Sequence, residues 1–456
     1  MRDEYPTAGR VHDPGIRSLY LLESRWQSWL DVEAALAQAQ AELSIVPEDA
    51  ARTITSVAKL ELLDRDRIDE ATKRTSHPLV PLVWELARVA GEDAGRWVHW
   101  GATTQNIVQT GDILTLRRAH RIFLQLISEI LISMSDLAVR AADMPIAART
   151  HGQHAVPTTF GYKVAVWIDE FSRHAERLQA AEHRVFVALL GGAAGTFASM
   201  GAQGPAVQAG LAARLGLQPM LVPARSMGDH LTEYVMLLGI IGSTSGKIAR
   251  EIYTLMKTEY GEVEEPMPAG TVGSSTMPQK RNPQLCQDII ARSASLRSSV
   301  PLALEAMQME HEADRSMGLM MQEATETACI AAGDVLSRLA VVVSGLRLFP
   351  NRMESNLDLT NGLIMAEAVM MSLGETLGRQ EAHDVVYESA QDSALNGQSF
   401  ASILMGDPRV SNHLARDVID DILNPVSYVG LSAEMAREAA VRGRKAAELA
   451  SPARGV

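Results

Sequence analysis

The stretch "LESRWQSWLDVEAAL", residues 22–36, sets Leu22, Trp26, Trp29, Val32 and Leu36 at steps of four, three, three and four. That spacing keeps returning a side chain to one side of a 3.6-residue turn, so it predicts a helix with one apolar face. The pattern recurs at Val164, Trp167, Ile168, Phe171 and Leu178, and again at Leu336, Leu339, Val343 and Leu346. Alternating strand patterns are scarce and aromatic residues make up only 5% of the chain. An all-α fold is therefore expected.

At 456 residues the chain exceeds one ordinary core. Between 111 and 350 the helical segments are long, with breaks near Pro145, Pro157, Gly191 to Gly195, Pro205, Pro223 and residues 266–283. Helices of that length bury their faces best against one another, which predicts a central long-helix bundle over 111–350. An N-terminal helical domain over 1–110 and a C-terminal helical domain over 351–456 complete the expected partition. No internal repeat or low-complexity tract interrupts it, and the tail "SPARGV" is expected to fray.

Hydrophobic residues are 46% and charged residues 21%, the balance of an ordinary globular chain. The net charge of -13 argues against nucleic acid or an anionic membrane as partner, since both favour a basic face. A small anionic substrate stays open, because it responds to the local field of a pocket. Cys286 and Cys329 are too few for a disulfide framework or a cysteine zinc site. The opening "MRDEYPTAGR" lacks the apolar core of a signal peptide, and no uninterrupted apolar run approaches a bilayer-spanning length. A cytoplasmic location is expected.

One segment breaks the helical pattern: "TVGSSTMPQKRNP", residues 271–283. Gly270 and Gly273 permit backbone conformations closed to other residues, while Pro278 and Pro283 remove amide donors and turn the chain away from helix. Its hydroxyl, ammonium, guanidinium and amide groups suit an anion, and a flexible surface connection is the competing reading. Two more segments concentrate polar groups at apparent helix ends: "HWGATTQNIVQTGD", with Thr103, Thr104, Gln105 and Asn106, and "RTHGQHAVPTTFG", with Thr150, His151, Gln153 and His154. Helix capping is the alternative for each Thr and Asn.

No HExxH, no cysteine pair and no acidic residue one turn from His151 or His154 supports a metal site. A glycine-rich nucleotide turn and a GxSxG elbow are also missing. What remains is a cofactor-free site with a serine on a glycine-hinged loop, a lysine and an asparagine to grip a carboxylate, and a histidine to move a proton. Such groups suit proton abstraction beside a carboxylate followed by loss of a leaving group, with electrostatic stabilisation of the carbanion as the largest contribution.

These motifs match a known family. "GSSTMPQKRNP" resembles the signature loop of the fumarase/aspartase superfamily, "GATTQN" its first ligand-binding stretch, "RTHGQHAVPTTFG" its second, and "GGAAGT" at 191–196 a glycine turn. With "NLDLTNGLIMAEAV" the resemblance covers nearly the whole chain. It implies a homotetramer whose central helices form one core, with each active site shared by three subunits and holding a small dicarboxylate without cofactor or metal. It implies Ser274 as general base and His151 and His77 as further catalytic residues. The implied substrate-binding residues are Thr103, Thr104, Gln105, Thr150, Gln153, Ser275, Met277, Lys280, Asn282 and Arg315, the last with a structural ion pair as alternative.

Within the superfamily the second stretch looks like adenylosuccinate lyase, and the C-terminal third more like 3-carboxy-cis,cis-muconate cycloisomerase. Gln287 replaces a glutamate that pairs with the histidine in relatives, so His151 is expected to serve as a hydrogen-bond donor. Asn106 stands where aspartate is common, and Gly228 and His230 replace arginines. The N-terminal segment lacks the pattern that adenylosuccinate lyases use around a nucleotide phosphate. The resulting expectation is an anti-elimination lyase releasing fumarate from a 2-substituted succinate, most readily by breaking a carbon–nitrogen bond. The cycloisomerase, adenylosuccinate lyase and a catalytically silent structural homologue are the alternatives.

Overall fold

The computed structural model describes residues 5–451, so all of the "SPARGV" tail beyond Ser451 lies outside the described residues. The opening stripe forms helix α1, Leu22–Glu42, in which Trp26, Trp29, Val32 and Leu36 are buried and only Leu22, in the first turn, is exposed. The other two stripes are buried throughout. Helix α2 is Val80–Gly95 and α3 is Thr104–Arg140. A hairpin of β1, Pro145–Thr150, and β2, Gln153–Thr159, leads into α4, Phe160–Val185. Then follow α5, Asp229–Leu255; β3, Val263–Glu264; α6, Gln284–Ala306; and α7, Arg315–Gly345. Strand β4, Arg347–Leu348, pairs antiparallel with β3.

Side-chain contacts fix the direction of each helix in the bundle. A Cβ on Gly239 would lie 2.8 Å from Val300, and one on Gly242 2.6 Å from Leu296, so α5 and α6 run antiparallel with glycines at their closest approach. Arg292 meets Asp334 at 3.0 Å and Arg338 meets Asp288 at 3.6 Å, which makes α6 and α7 antiparallel as well. His120 of α3 bonds Glu182 of α4 at 2.9 Å. Arg140, at the end of α3, donates to the Leu346 carbonyl just past α7. The bundle therefore has two distinct ends. One collects the starts of α3, α5 and α7; the other collects the hairpin, the end of α5 and the start of α6. Helix α3 has 37 residues, which at 1.5 Å per residue separates the ends by about 55 Å.

By length and composition α3 and α7 could cross a bilayer, but most of the apolar stretch in each is covered by neighbouring helices. The expected partition needs two corrections. Residue 110 falls inside α3, and the N-terminal helices share one continuous core with the bundle. The last helix, Ser432–Ala450, returns to the bundle, where Gly443 packs on Ser135 and Ile168, and Ser128 donates to the Ala447 carbonyl at 2.9 Å. Among the described residues, the helices before it form a separate small core around Val369, Leu373, Val385, Phe400 and Ile419, and a second cluster joins Leu357, Ile364 and Met365 to Ala147 of the hairpin.

Candidate active site

At the α3 start, Thr103 occupies the cap and its backbone N–H is held by Asn106 Oδ1 at 3.1 Å. Thr104 opens the helix, and its Oγ1 lies 3.4 Å from His77 Nε2. His77 sits just before α2, where Nδ1 accepts the backbone N–H groups of Leu79 at 3.2 Å and Val80 at 3.0 Å. Those amides are donors that a helix start leaves unpaired. An Nδ1 that accepts carries no proton, so the ring proton lies on Nε2 and points toward Thr104.

Gln105 gives both amide hydrogens away, to the Arg225 carbonyl at 2.8 Å and to Gln109 at 3.0 Å, while its Oε1 accepts from Arg225 Nε at 3.0 Å. Arg225 also donates to the Ala193 carbonyl at 2.6 Å, within the glycine turn of 191–196. Gln105 is thus a strut for an arginine that reading the sequence passed over. Arg315, the first residue of α7, stands exposed at this same end, and no carboxylate among the described residues pairs with it.

The opposite end carries the rest. The expected helix boundary at "RTHGQHAV" is a tight hairpin: Thr150 pairs with Gln153, and His151 and Gly152 turn the chain at φ 53° and 79°. Two successive positive angles are the geometry of a type I′ turn, which glycine accepts freely and histidine seldom. Thr150, His151 and Gln153 are exposed, and His151 makes no hydrogen bond among the described residues. His154 is half-buried with an unpartnered Nδ1; burial, and then the neighbouring Arg149 cation, hold it below the usual imidazole range.

The 271–283 segment is irregular, as expected. Ser274 Oγ accepts the backbone N–H groups of Met277 at 3.1 Å and Thr276 at 3.3 Å. Donors around an oxygen favour its charged form, which is what a serine base requires. Asn282 donates to the Gly273 carbonyl. A Cβ on Gly273 would overlap the Lys280 carbonyl oxygen, so the close turn that presents Ser274 requires glycine there. Ser275, Met277 and Lys280 are exposed, and the Lys280 ammonium has no carboxylate partner among the described residues.

Three acidic residues before this loop, Glu262, Glu264 and Glu265, are buried and form ion pairs. Glu262 takes a bidentate grip from Arg149 at 2.7 and 3.0 Å and accepts from Asn356 at 2.8 Å. Glu264 pairs with Arg281 and Arg347. Glu265 accepts the N–H groups of Leu285 and Cys286, both at 3.0 Å, at the start of α6. The three carboxylates therefore clamp the hairpin that carries His151 and both roots of the loop that carries Ser274.

The other histidines divide between structural and surface roles. His120 bonds Tyr234 and Glu182, His174 bonds Thr244, and His99 bonds Glu33; His183, His383 and His413 are exposed. A groove of about 640 Å³ between α4, α5 and α6, lined by Lys163, Lys247, Arg250 and Arg297, contains none of the candidate residues.

The geometry thus places a helix-start cradle and a serine loop at opposite ends of the bundle, and comparison with known proteins gives the family. A pattern described as lyase matches residues 11–296, and one described as adenylosuccinate lyase C-terminus matches residues 362–439. The chain belongs to the fumarase/aspartase superfamily. It is an enzyme of the fumarase/aspartase lyase superfamily. It is 38% identical over 417 residues to N-acetyl-S-(2-succino)cysteine lyase of Dickeya dadantii, covering 91% of this chain and 92% of that protein. It is also 38% identical over 421 residues to 3-carboxy-cis,cis-muconate cycloisomerase of Pseudomonas aeruginosa, covering 91% of each. The crystal structure of a fumarate lyase from Mesorhizobium sp. BNC1 superposes with a TM-score of 0.88 at 36% identity, over 94% of this chain and 98% of that one. The superfamily's all-helical fold accounts for the bundle described above.

Proposed function

We propose that the chain eliminates a heteroatom from a 2-substituted succinate to release fumarate, and that the heteroatom is the sulfur of an S-(2-succino) thioether. The observation that carries the reading is the His77 tautomer. With Nδ1 engaged by two backbone N–H groups, the ring offers one proton, on Nε2. To hold a second proton it would have to break both bonds. A thiolate, with a free-thiol pKa near ~8.5, leaves with little more than a hydrogen bond, whereas an amine must be protonated as it departs. The 38% identity to N-acetyl-S-(2-succino)cysteine lyase supports the same preference.

In this mechanism Ser274, as alkoxide, takes the proton from the carbon beside one carboxylate. Lys280 and Asn282 stabilise the resulting aci-carboxylate, with the α3 start at Thr103 and Thr104 as a second anion cradle. The carbon–sulfur bond then breaks, its electron pair goes to sulfur, the carbon–carbon double bond closes, and His77 Nε2–H bonds the departing thiolate. Ser274 and Thr104 lie at opposite bundle ends, roughly 55 Å apart, so one chain cannot close this site. A homotetramer that juxtaposes opposite ends can, with three subunits contributing. Exposed Met236 and Ile240 on α5 and Leu304 on α6 give the bundle an apolar flank for such an assembly.

Nitrogen is the second reading, favoured by His151, which is exposed, unpartnered and free to protonate an amine from a neighbouring subunit. The test is fumarate release from S-(2-succino) and N-(2-succino) amino acids by the purified enzyme. Faster release from the thioether is expected. Faster release from the amine reverses the order, and rapid conversion of 3-carboxymuconate with neither would make the chain a cycloisomerase.

A further inference from the structure

Arg225 lies beside the α3 start. It is half-buried, its Nε and Nη1 donate only to neutral acceptors, the Gln105 amide oxygen at 3.0 Å and the Ala193 carbonyl at 2.6 Å, and its Nη2 has no partner among the described residues. No carboxylate among those residues pairs with it, although Arg25, Arg149, Arg184 and Arg281 each meet one. Burial alone holds its guanidinium below its usual range. A partly desolvated cation without a counter-ion is costly unless a ligand supplies the charge.

Its mooring is firm. Gln105 locks it on one side through two reciprocal bonds, and the glycine turn of 191–196 locks it on the other. Gln105 follows Thr104 directly, and Thr104 faces the Nε2 of His77, the group assigned to the leaving sulfur. The succinate carboxylates already have Lys280, Asn282 and the α3 start. The Gln105 strut therefore moors Arg225 beside the α3 start, one residue along from the Thr104 that meets His77.

We infer that Arg225 is a specificity-determining residue that binds a carboxylate carried by the leaving group, so that the preferred substrates are 2-succino adducts of carboxylated thiols such as N-acylated amino acids. The inference rests on the lyase reading above and deepens it. A guanidinium with one free edge matches a carboxylate oxygen pair, and a lysine there would keep the charge without the fork.

The test uses two substrates that differ by that one group: the 2-succino adducts of N-acetylcysteine and of N-acetylcysteamine. The unmodified enzyme is expected to favour the first by about 100-fold in kcat/KM, mostly through KM. Arg225→Met should remove that preference while leaving turnover of the cysteamine adduct within about threefold, which also reports that the variant is folded. Arg225→Lys should recover part of the preference. Equal loss on both substrates in both variants, or an unchanged ratio in Arg225→Met, overturns the inference and leaves the lyase reading standing. If the unmodified enzyme releases fumarate from neither adduct, the thioether reading falls and this inference falls with it.

Discussion

The two ends of the bundle are built on opposite principles. At the α3 start the polar groups satisfy one another: His77 is fixed by backbone amides, Gln105 by Arg225, and Thr103 by buried Asn106. At the other end His151, Gln153, Ser275 and Lys280 project with few partners, while everything beneath them is clamped by buried Glu262, Glu264 and Glu265. One end is preorganised and the other is rigid only at its roots. A fixed cradle can hold the leaving group, and a loop free above a rigid base can close over the dicarboxylate and carry the base to it.

The comparison breaks most sharply at Ser274. Ser274→Ala should lower fumarate release about 10³- to 10⁴-fold with little change in KM; a variant with near-normal turnover would move the base elsewhere. Because Ser274 and His77 sit at opposite ends, mixing and reassembling Ser274→Ala with His77→Ala should recover activity that neither variant has. No recovery from a mixture shown to exchange subunits would mean that each chain carries a complete site.

The rigid roots are tested by Glu262→Ala, which strands Arg149 in a buried position. Stability should fall by about 3 to 5 kcal/mol in denaturant titration, and the hairpin bearing His151 should become protease-sensitive. Gly273→Ala addresses the loop alone: turnover should fall about 100-fold, with an unchanged melting temperature, because the clash with Lys280 lies above the clamped roots.

The smallest effect concerns the bundle between the ends. Burial, and then Arg177, hold buried His174 down to about 4. The unfolded chain therefore binds a proton there before the folded one does. Stability is full above the ordinary imidazole range and falls as pH drops toward 4, by at most about 3 kcal/mol. His174→Gln should flatten part of that slope; His230, also held down by burial, contributes in the same direction. A slope unchanged by the substitution would assign the acid sensitivity to other groups.

Much of this was legible in the sequence. Stepped apolar residues gave the helices, and two glycines with two prolines marked the 271–283 loop. The hairpin was not legible, because "PIAART" is alanine-rich and does not alternate; its usable signal was the His151-Gly152 pair at the turn. The partners of Glu262 and Glu264 were not legible either, because sequence shows the charges but not the arginines at 149, 281 and 347 that fold onto them. Arg225 passed unnoticed for the same reason: its lack of a counter-ion exists only once its neighbours are in place.

Residue type and local spacing determine which segments are helical and which groups can do chemistry, since both depend on neighbours within a few turns. Tertiary packing alone decided that the last helix rejoins the bundle, that His77 carries its proton on Nε2, and that a 37-residue helix holds Thr104 and His151 at opposite ends. Those outcomes depend on contacts between residues far apart in the chain, which no local pattern records.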